Sequence, residues 1–139
     1  MKSILVDAGP LIALFSVNDH HHARYNELVR VQSDEGLRLL STWPCIVEAS
    51  YLLSDINRFA LLEWVELGGL TISHFEAGDL GSILSLMKTY TEAGKIEMDF
   101  ADASLVWLAS ETGINEVMTV DARDFSRYRT SDGKAFVIL

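Results

Sequence analysis

Four acidic residues lie where carboxylates can be gathered around one cation. Asp7 ends the apolar run Ser3-Ile4-Leu5-Val6, and Asp121 follows the run Glu116–Val120. Asp102 falls in the first turn of one expected helix and Glu48 in the first half of another. Asp99, three residues before Asp102, shares its helix face. Carboxylates a few ångströms apart raise one another's pKa. A hard divalent ion such as Mg²⁺ or Mn²⁺ removes that cost and prefers oxygen ligands. The chemistry such a set serves is metal-assisted hydrolysis, in which the ion acidifies a water and draws charge off the reacting group. Each acid also has a local explanation. Asp99 and Asp124 suit helix caps, and Asp102 does so tolerably. Asp7 suits a turn that bonds its own backbone, and Glu48 suits an exposed helix face. The chain holds 20 acids, so the set, and no single member, points to a cation site.

The other candidate groups offer less. His20-His21-His22 are adjacent, and adjacent helix positions do not face one another, so the three cannot ligate one ion from a regular helix. The expectation is that they are mostly solvated, with at most one packed or contacting a partner. Cys45 is the single cysteine, which excludes an intramolecular disulfide and a thiolate zinc site. Ser41 and Ser104 have no evident histidine partner for nucleophilic catalysis.

Strands and helices alternate through the chain. The first strand ends at Val6, and Gly9-Pro10 opens a short helix. Asp19 is expected to cap a helix over about 21–35, and Gly36 to stop it. Leu37–Ser41 reads as a strand. A helix then opens at Thr42 or Trp43 with Pro44 near its start and Val47, Tyr51 and Leu52 on its inner side. A helix over 57–67 ends at Gly68-Gly69, before a strand at Leu70–Ser73. Glu76–Ala93 has a helical stripe of Leu80, Ile83, Leu84 and Met87, ended by Gly94. A further helix, Asp99–Thr112, stops at Gly113. Glu116–Val120 and Ala135–Leu139 read as strands. This alternation predicts one α/β domain over residues 1–139, a three-layer α/β/α sandwich around a mainly parallel sheet. In such a sheet ligands bind beyond the carboxyl ends of the strands, where Asp7 and Asp121 fall.

The 139 residues are 49% apolar, enough for one solid core. No stretch approaches the ~20 apolar residues of a membrane helix, and the apolar run before Asp7 is too short for a signal peptide. The expectation is a cytoplasmic chain. A net charge of −9 opposes nucleic-acid binding through the overall field. A cation held on carboxylates reverses that field locally. The late basic residues Arg123, Arg127, Arg129 and Lys134 form either a solvated face or a phosphate-contacting edge.

Four stretches together resemble the motifs of PIN-domain ribonucleases. ILVDAGPLIAL resembles the first, TWPCIVEASYLL the weaker second, MDFADASLVWLA the third and MTVDARDF the fourth. They occur in the family's order and span nearly the whole chain, from Lys2 to about Arg129. Size and architecture resemble the toxins of VapBC-type toxin–antitoxin pairs. The resemblance implies an endoribonuclease that is dimeric and held inactive by a small antitoxin. It implies metal binding by Asp7, Glu48, Asp102 and Asp121. Asp99 and Asp124 stand beside the third and fourth motifs as supporting or capping acids. Thr119 matches the hydroxyl residue found before the fourth acid. Arg123, Arg127 and Arg129 become candidates for RNA phosphate contact. Trp43, Tyr51, Phe125 and Tyr128 offer rings on which an unpaired base can stack, with core packing the expectation for Trp43 and Phe125. The anionic balance and the histidine run are not part of the family's pattern.

Three alternatives stand beside this reading. A PIN-like domain can bind RNA or protein without cleavage. The same fold can act on DNA. A phosphoacceptor receiver domain would need an acceptor Asp after its third strand and a lysine after its last. Here His74-Phe75-Glu76 follow Leu70–Ser73, and no suitable lysine follows Glu116–Val120.

Overall fold

Ile4, Leu5 and Val6 carry apolar side chains without alternation and are fully buried, as a strand covered on both faces requires. They belong to β1 (Lys2–Val6) in the computed structural model, which describes residues 1–93 and 96–139. Along the chain follow α1 (Ala8–Phe15), α2 (His22–Asp34), β2 (Leu37–Ser41), α3 (Trp43–Leu52), α4 (Asp55–Glu66) and β3 (Thr71–Ile72). A 3₁₀ turn (Ala77–Asp79) leads into α5 (Leu80–Tyr90), and α6 (Phe100–Thr112), β4 (Glu116–Met118), α7 (Ala122–Phe125) and β5 (Val137–Ile138) complete the fold.

The strands form one five-stranded sheet in the order β3-β2-β1-β4-β5, and every pairing is parallel. The expectation of a mainly parallel sheet is met by a wholly parallel one. Strand alternation sends Leu5, Leu40 and Val117 to one face, against Ile83, Leu105, Phe125 and Tyr128. It sends Ile4, Val6, Leu39 and Met118 to the other, against Leu11, Tyr25, Ile46 and Leu61. Two cores therefore flank the sheet, and the α/β/α sandwich follows. The chain leaves β1 toward β2 on one side, and β4 joins on the other, with Val6 opposite Met118. Strand order thus reverses at β1/β4, where a ligand crevice is expected.

α6 is buried at every residue from Ala101 to Ala109. That stretch has no solvent face because α5 and α3 cover what the sheet does not. Gly113 ends it in the left-handed region (φ 77) and donates its N–H to Ala109 O at 2.8 Å. A Cβ at Gly113 would meet nothing within 4 Å, so a substitution there is opposed by backbone conformation alone. Gly113→Ala is expected to cost about 1–2 kcal/mol; an unchanged urea midpoint would contradict this account of the helix stop.

Several sequence expectations shift in the structure. Asp19 does not cap α2. Its Oδ1 accepts from His21 N–H at 2.8 Å and closes a turn, and the helix begins after His21, which makes no side-chain cap. The inner side of α3 is Cys45, Ile46 and Ala49, while Val47, Tyr51 and Leu52 face outward. α3 lies against both α1 and α6, and the small side chains at Cys45 and Ala49 permit that approach. On α5, Leu80 and Leu84 are half exposed, and Ile83 and Met87 pack inward with Leu86. That helix starts later than expected because Glu76 and Asp79 form a reciprocal capping box around the 3₁₀ turn. It ends at Tyr90, and its expected stop at Gly94 lies outside the described residues. β4 ends at Met118, two residues early, so Asp121 follows a short loop and not the strand itself.

Candidate metal centre

Asp7 is the first residue beyond β1. Its N–H still joins the sheet, donating to Met118 O at 3.0 Å. Its carboxylate then turns back as the cap of α1, Oδ1 accepting from Ala8 N–H at 2.8 Å. Oδ2 accepts the Thr119 hydroxyl proton, also at 2.8 Å. The side chain is 6% exposed. Burial pushes its pKa up to about 6, with Thr119 and the Ala8 N–H opposing and the charges of Glu48 and Asp99 adding.

Thr119 links the two central strands beyond their ends. Its Oγ1 donates to Asp7 and accepts from Asp121 N–H at 3.0 Å. Its carbonyl accepts from the Tyr25 hydroxyl at 2.8 Å, and that hydroxyl also reaches Leu139 O at 3.3 Å. Tyr25 is fully buried, so Tyr25→Phe would strand a buried carbonyl behind the site. The expected cost is about 1–3 kcal/mol; a thermal midpoint equal to wild type would show that this bond contributes nothing.

Asp102 sits in the first turn of α6, with its N–H capped by Asp99 Oδ1 at 2.8 Å. Its carboxylate is 8% exposed and accepts from the Tyr128 hydroxyl at 2.9 Å. Burial, then the charges of Asp7 and Asp99, raise its pKa to about 8; the Tyr128 bond opposes this and Asp121 adds to it. Asp121 caps α7 by accepting Asp124 N–H at 3.4 Å. Its pKa is raised by burial first and then by the Asp124 carboxyl. Asp102, Asp121 and Asp124 each offer a carboxylate oxygen, all within 4.8 Å of one another. Asp124 also pairs with Arg127 at 3.4 Å.

Of the four acids singled out by sequence, Asp102 and Asp121 meet directly. Asp7 joins them through Thr119 and through its charge. Glu48 stands at the rim, exposed on α3, where a groove formed with Asp99, Pro44, Tyr51 and Phe100 opens beside it. Its pKa is raised by burial and by the charge of Asp99. Asp124 enters the cluster as a member, whereas the sequence placed it as a neighbour. The signal was its position three residues after Asp121 at a helix start, which puts both acids on one face.

The donor set is oxygen throughout, and burial holds Asp7 and Asp102 against ionisation. Both features fit a hard divalent cation. Cys45 lies behind the acids, its Sγ 4.0 Å from Asp7 Oδ1, but is itself fully buried, and its thiol is pushed strongly upward by that burial and by Asp7. It is not a thiolate ligand.

The surrounding candidates divide. Arg123 is exposed and shares a surface pocket with Asp121, Asp124, Ile96 and Glu97. Arg127 reaches Asp124 and Tyr90 O, both at 3.4 Å. Arg129 donates to Ser126 O and Tyr128 O within its own segment. Phe125 and Tyr128 are fully buried, while Trp43, expected in the core, is 44% exposed beside His74. Trp43 opens α3 at the surface end of that helix, before the residues that α1 and α6 cover. Of the three histidines, His22 Nδ1 bonds Ala13 O at 2.7 Å, and the rings of His20 and His21 meet edge-on at 4.9 Å.

No family model and no curated protein matches the sequence. Solved structures do match in three dimensions. The sarcin-ricin loop cleaving toxin VapC20 of Mycobacterium tuberculosis superposes with a TM-score of 0.65 at 17% identity, covering 82% of this chain and 86% of that one. A chain of VapBC2 from Rickettsia felis, solved bound to a DNA fragment from its promoter, gives a TM-score of 0.67 at 12% identity, covering 99% and 98%. At these identities the likeness is one of fold. The chain has the PIN-like α/β/α fold of VapC-type toxins.

Proposed function

We propose that this chain is a divalent-metal-dependent endoribonuclease, the toxin of a toxin–antitoxin pair. One observation carries the reading: on the fold of an RNA-cleaving toxin, Asp7, Asp102, Asp121 and Asp124 gather at the carboxyl end of β1 and β4. Asp7, Asp102 and Asp121 would hold the cation, Mg²⁺ or Mn²⁺, with Asp124 beside them and Glu48 completing the set from the rim. When bound there, the cation would supply positive charge for acidifying water and for drawing charge off the phosphodiester oxygens.

The chain's own residues orient the rest. Thr119 holds Asp7 Oδ2 and the Asp121 backbone, so the ends of β1 and β4 keep a constant spacing. Asp99 caps α6 and keeps Asp102 in its first turn. Arg123, on the pocket shared with Asp121 and Asp124, is the side chain placed to meet a phosphate. Exposed Trp43 and Tyr51 on α3 offer rings to unpaired bases. Arg127 is engaged by Asp124 and Tyr90 O, and Arg129 by carbonyls of its own segment, so both would play a smaller part in RNA contact.

The partner expected from the VapBC2 complex is a small antitoxin. An arginine or lysine from it suits the acidic pocket, and a partner helix suits the outward apolar side chains of α3 and α4, including Val47, Leu52, Ile56 and Phe59. Assembly as a homodimer and a cytoplasmic location belong to the same proposal. Among the described residues no helix is long and apolar enough to cross a membrane.

The test is incubation of antitoxin-free protein with a mixed RNA pool, with Mg²⁺ or Mn²⁺ and with chelator, beside a matched DNA pool. Cleavage of RNA that requires the metal and vanishes in Asp7→Asn is the expected result. Equal cleavage by wild type and variant would remove the acids from the chemistry. Tight RNA or antitoxin binding with no cleavage of any RNA would favour a silent PIN-like module.

A further inference from the structure

Tyr128 lies 26 residues from Asp102 in sequence and is fully buried. Its ring stands edge-on to Tyr90 and to Phe125, with 5.0 Å between centroids in each pair, and Phe125 meets Phe136 edge-on in turn. A ring held on two sides cannot swing freely, so its hydroxyl is delivered to one place. That place is Asp102 Oδ2, at 2.9 Å. Among the described residues it is the one hydrogen bond that the Asp102 carboxylate accepts.

A buried phenol needs an acceptor, and a neutral carbonyl would serve packing equally well. Here the acceptor is a carboxylate crowded by Asp7, Asp99 and Asp121. The segment that delivers the phenol also delivers two of the other acids. Asp121 caps α7 and Asp124 lies in its first turn, Phe125 anchors it in the core, and Tyr128 follows three residues later. Residues 121–128 thus carry two carboxylates of the cluster together with the hydroxyl that contacts the third.

The geometry points to Tyr128 as a positioning residue for the metal centre: its hydroxyl holds Asp102 in the rotamer that meets a cation shared with Asp121 and Asp124. This rests on the metal-centre reading above. A phenol is well suited to the task. An arginine or lysine at this place would neutralise Asp102 and compete with the cation, whereas a neutral donor orients the carboxylate and leaves its charge available.

The test is a Mn²⁺ titration of the antitoxin-free chain, followed by the electron paramagnetic resonance signal of free Mn²⁺. Wild type is compared with Tyr128→Phe and Leu61→Ala. Leu61 is fully buried on the opposite side of the sheet, so its truncation loosens the fold without touching Asp102. Tyr128→Phe is expected to weaken Mn²⁺ binding by roughly 10–100-fold. RNA cleavage by this variant should fall at limiting Mn²⁺ and recover at saturation, while Leu61→Ala keeps wild-type affinity. Wild-type affinity in Tyr128→Phe, or equal weakening in Leu61→Ala, overturns the role given to Tyr128 and leaves the metal centre standing. A wild-type chain that takes up no Mn²⁺ overturns the metal centre and this role with it. Should Tyr128→Phe not fold, 3-fluorotyrosine placed at 128 gives the answer in the intact chain. Its ¹⁹F resonance should move when Mg²⁺ is added, and a resonance that stays still overturns the proposal.

Discussion

Asp102→Asn is expected to abolish metal-dependent RNA cleavage while making the chelated protein more stable at neutral pH. The two effects have one origin. Asp102 is nearly buried, and burial with Asp7 and Asp99 pushes its pKa to about 8, far above the ordinary 3.8. Such a carboxyl is poorly tolerated by the fold as an anion and is useful only when a cation shares the site. The amide keeps the size and an acceptor for the Tyr128 hydroxyl, and it removes the anion. The loss of a carboxylate from the set is expected to lower cleavage by about 10²–10⁴-fold, the equivalent of several kcal/mol of transition-state stabilisation. The gain in folding stability at neutral pH is on the order of a few kcal/mol, since each pKa unit carries about 1.4 kcal/mol. Thermal melts in chelator and a cleavage time course read both numbers from one preparation. A lowered melting temperature together with full activity would show Asp102 to be an ordinary helix-start residue.

The wild-type protein without metal should lose stability as pH rises from about 4 to about 8, and Mg²⁺ should restore more of it at pH 8 than at pH 5. Asp7 and Asp102 have folded pKa values of about 6 and about 8, against 3.8 when solvated. Above pH 4 the unfolded chain has already released these protons and the folded chain still holds them. Stability therefore falls with pH in this window. It is fully present below the solvated value, is lost through about 6 on account of Asp7, and falls further through about 8 on account of Asp102. Glu48 and Asp121 are raised as well and act in the same direction. A divalent cation binds the ionised carboxylates, so its stabilisation grows as they lose protons. In melting curves, the shift produced by Mg²⁺ should be several degrees larger at pH 8 than at pH 5, given a slope of about 2–8 °C per kcal/mol for domains of this general size. Asp102→Asn should flatten both trends. A Mg²⁺ shift that is the same at both pH values would mean that the buried acids do not take up the ion.

These expectations also show which parts of the molecule were legible along the chain. The apolar runs ended by acids, the prolines near helix starts and the glycines at Gly36 and Gly113 are local signals. They depend on backbone conformation and on burial of a strand's two faces, and both are written in consecutive residues. The α/β order, the end of β1 at Asp7 and the place of Asp102 in the first turn of α6 followed from them; the neighbouring of β1 and β4 came only with the assembled sheet. Matters settled by packing did not. Val47 and Tyr51 looked like the inside of α3, but α1 and α6 approach so closely that Cys45 and Ala49 occupy that side. β4 stopping at Met118 freed Thr119 to bridge Asp7 and Asp121, a contact between residues 112 apart. Asp124 became a member of the acid cluster, and Tyr128 the partner of Asp102, because the side chains of residues 121–128 meet Asp102 at the start of α6. Spacing in a sequence reports which groups share a helix face or end a strand; which of them meet across the sheet depends on how closely the two layers can pack, and that is a property of the assembled side chains.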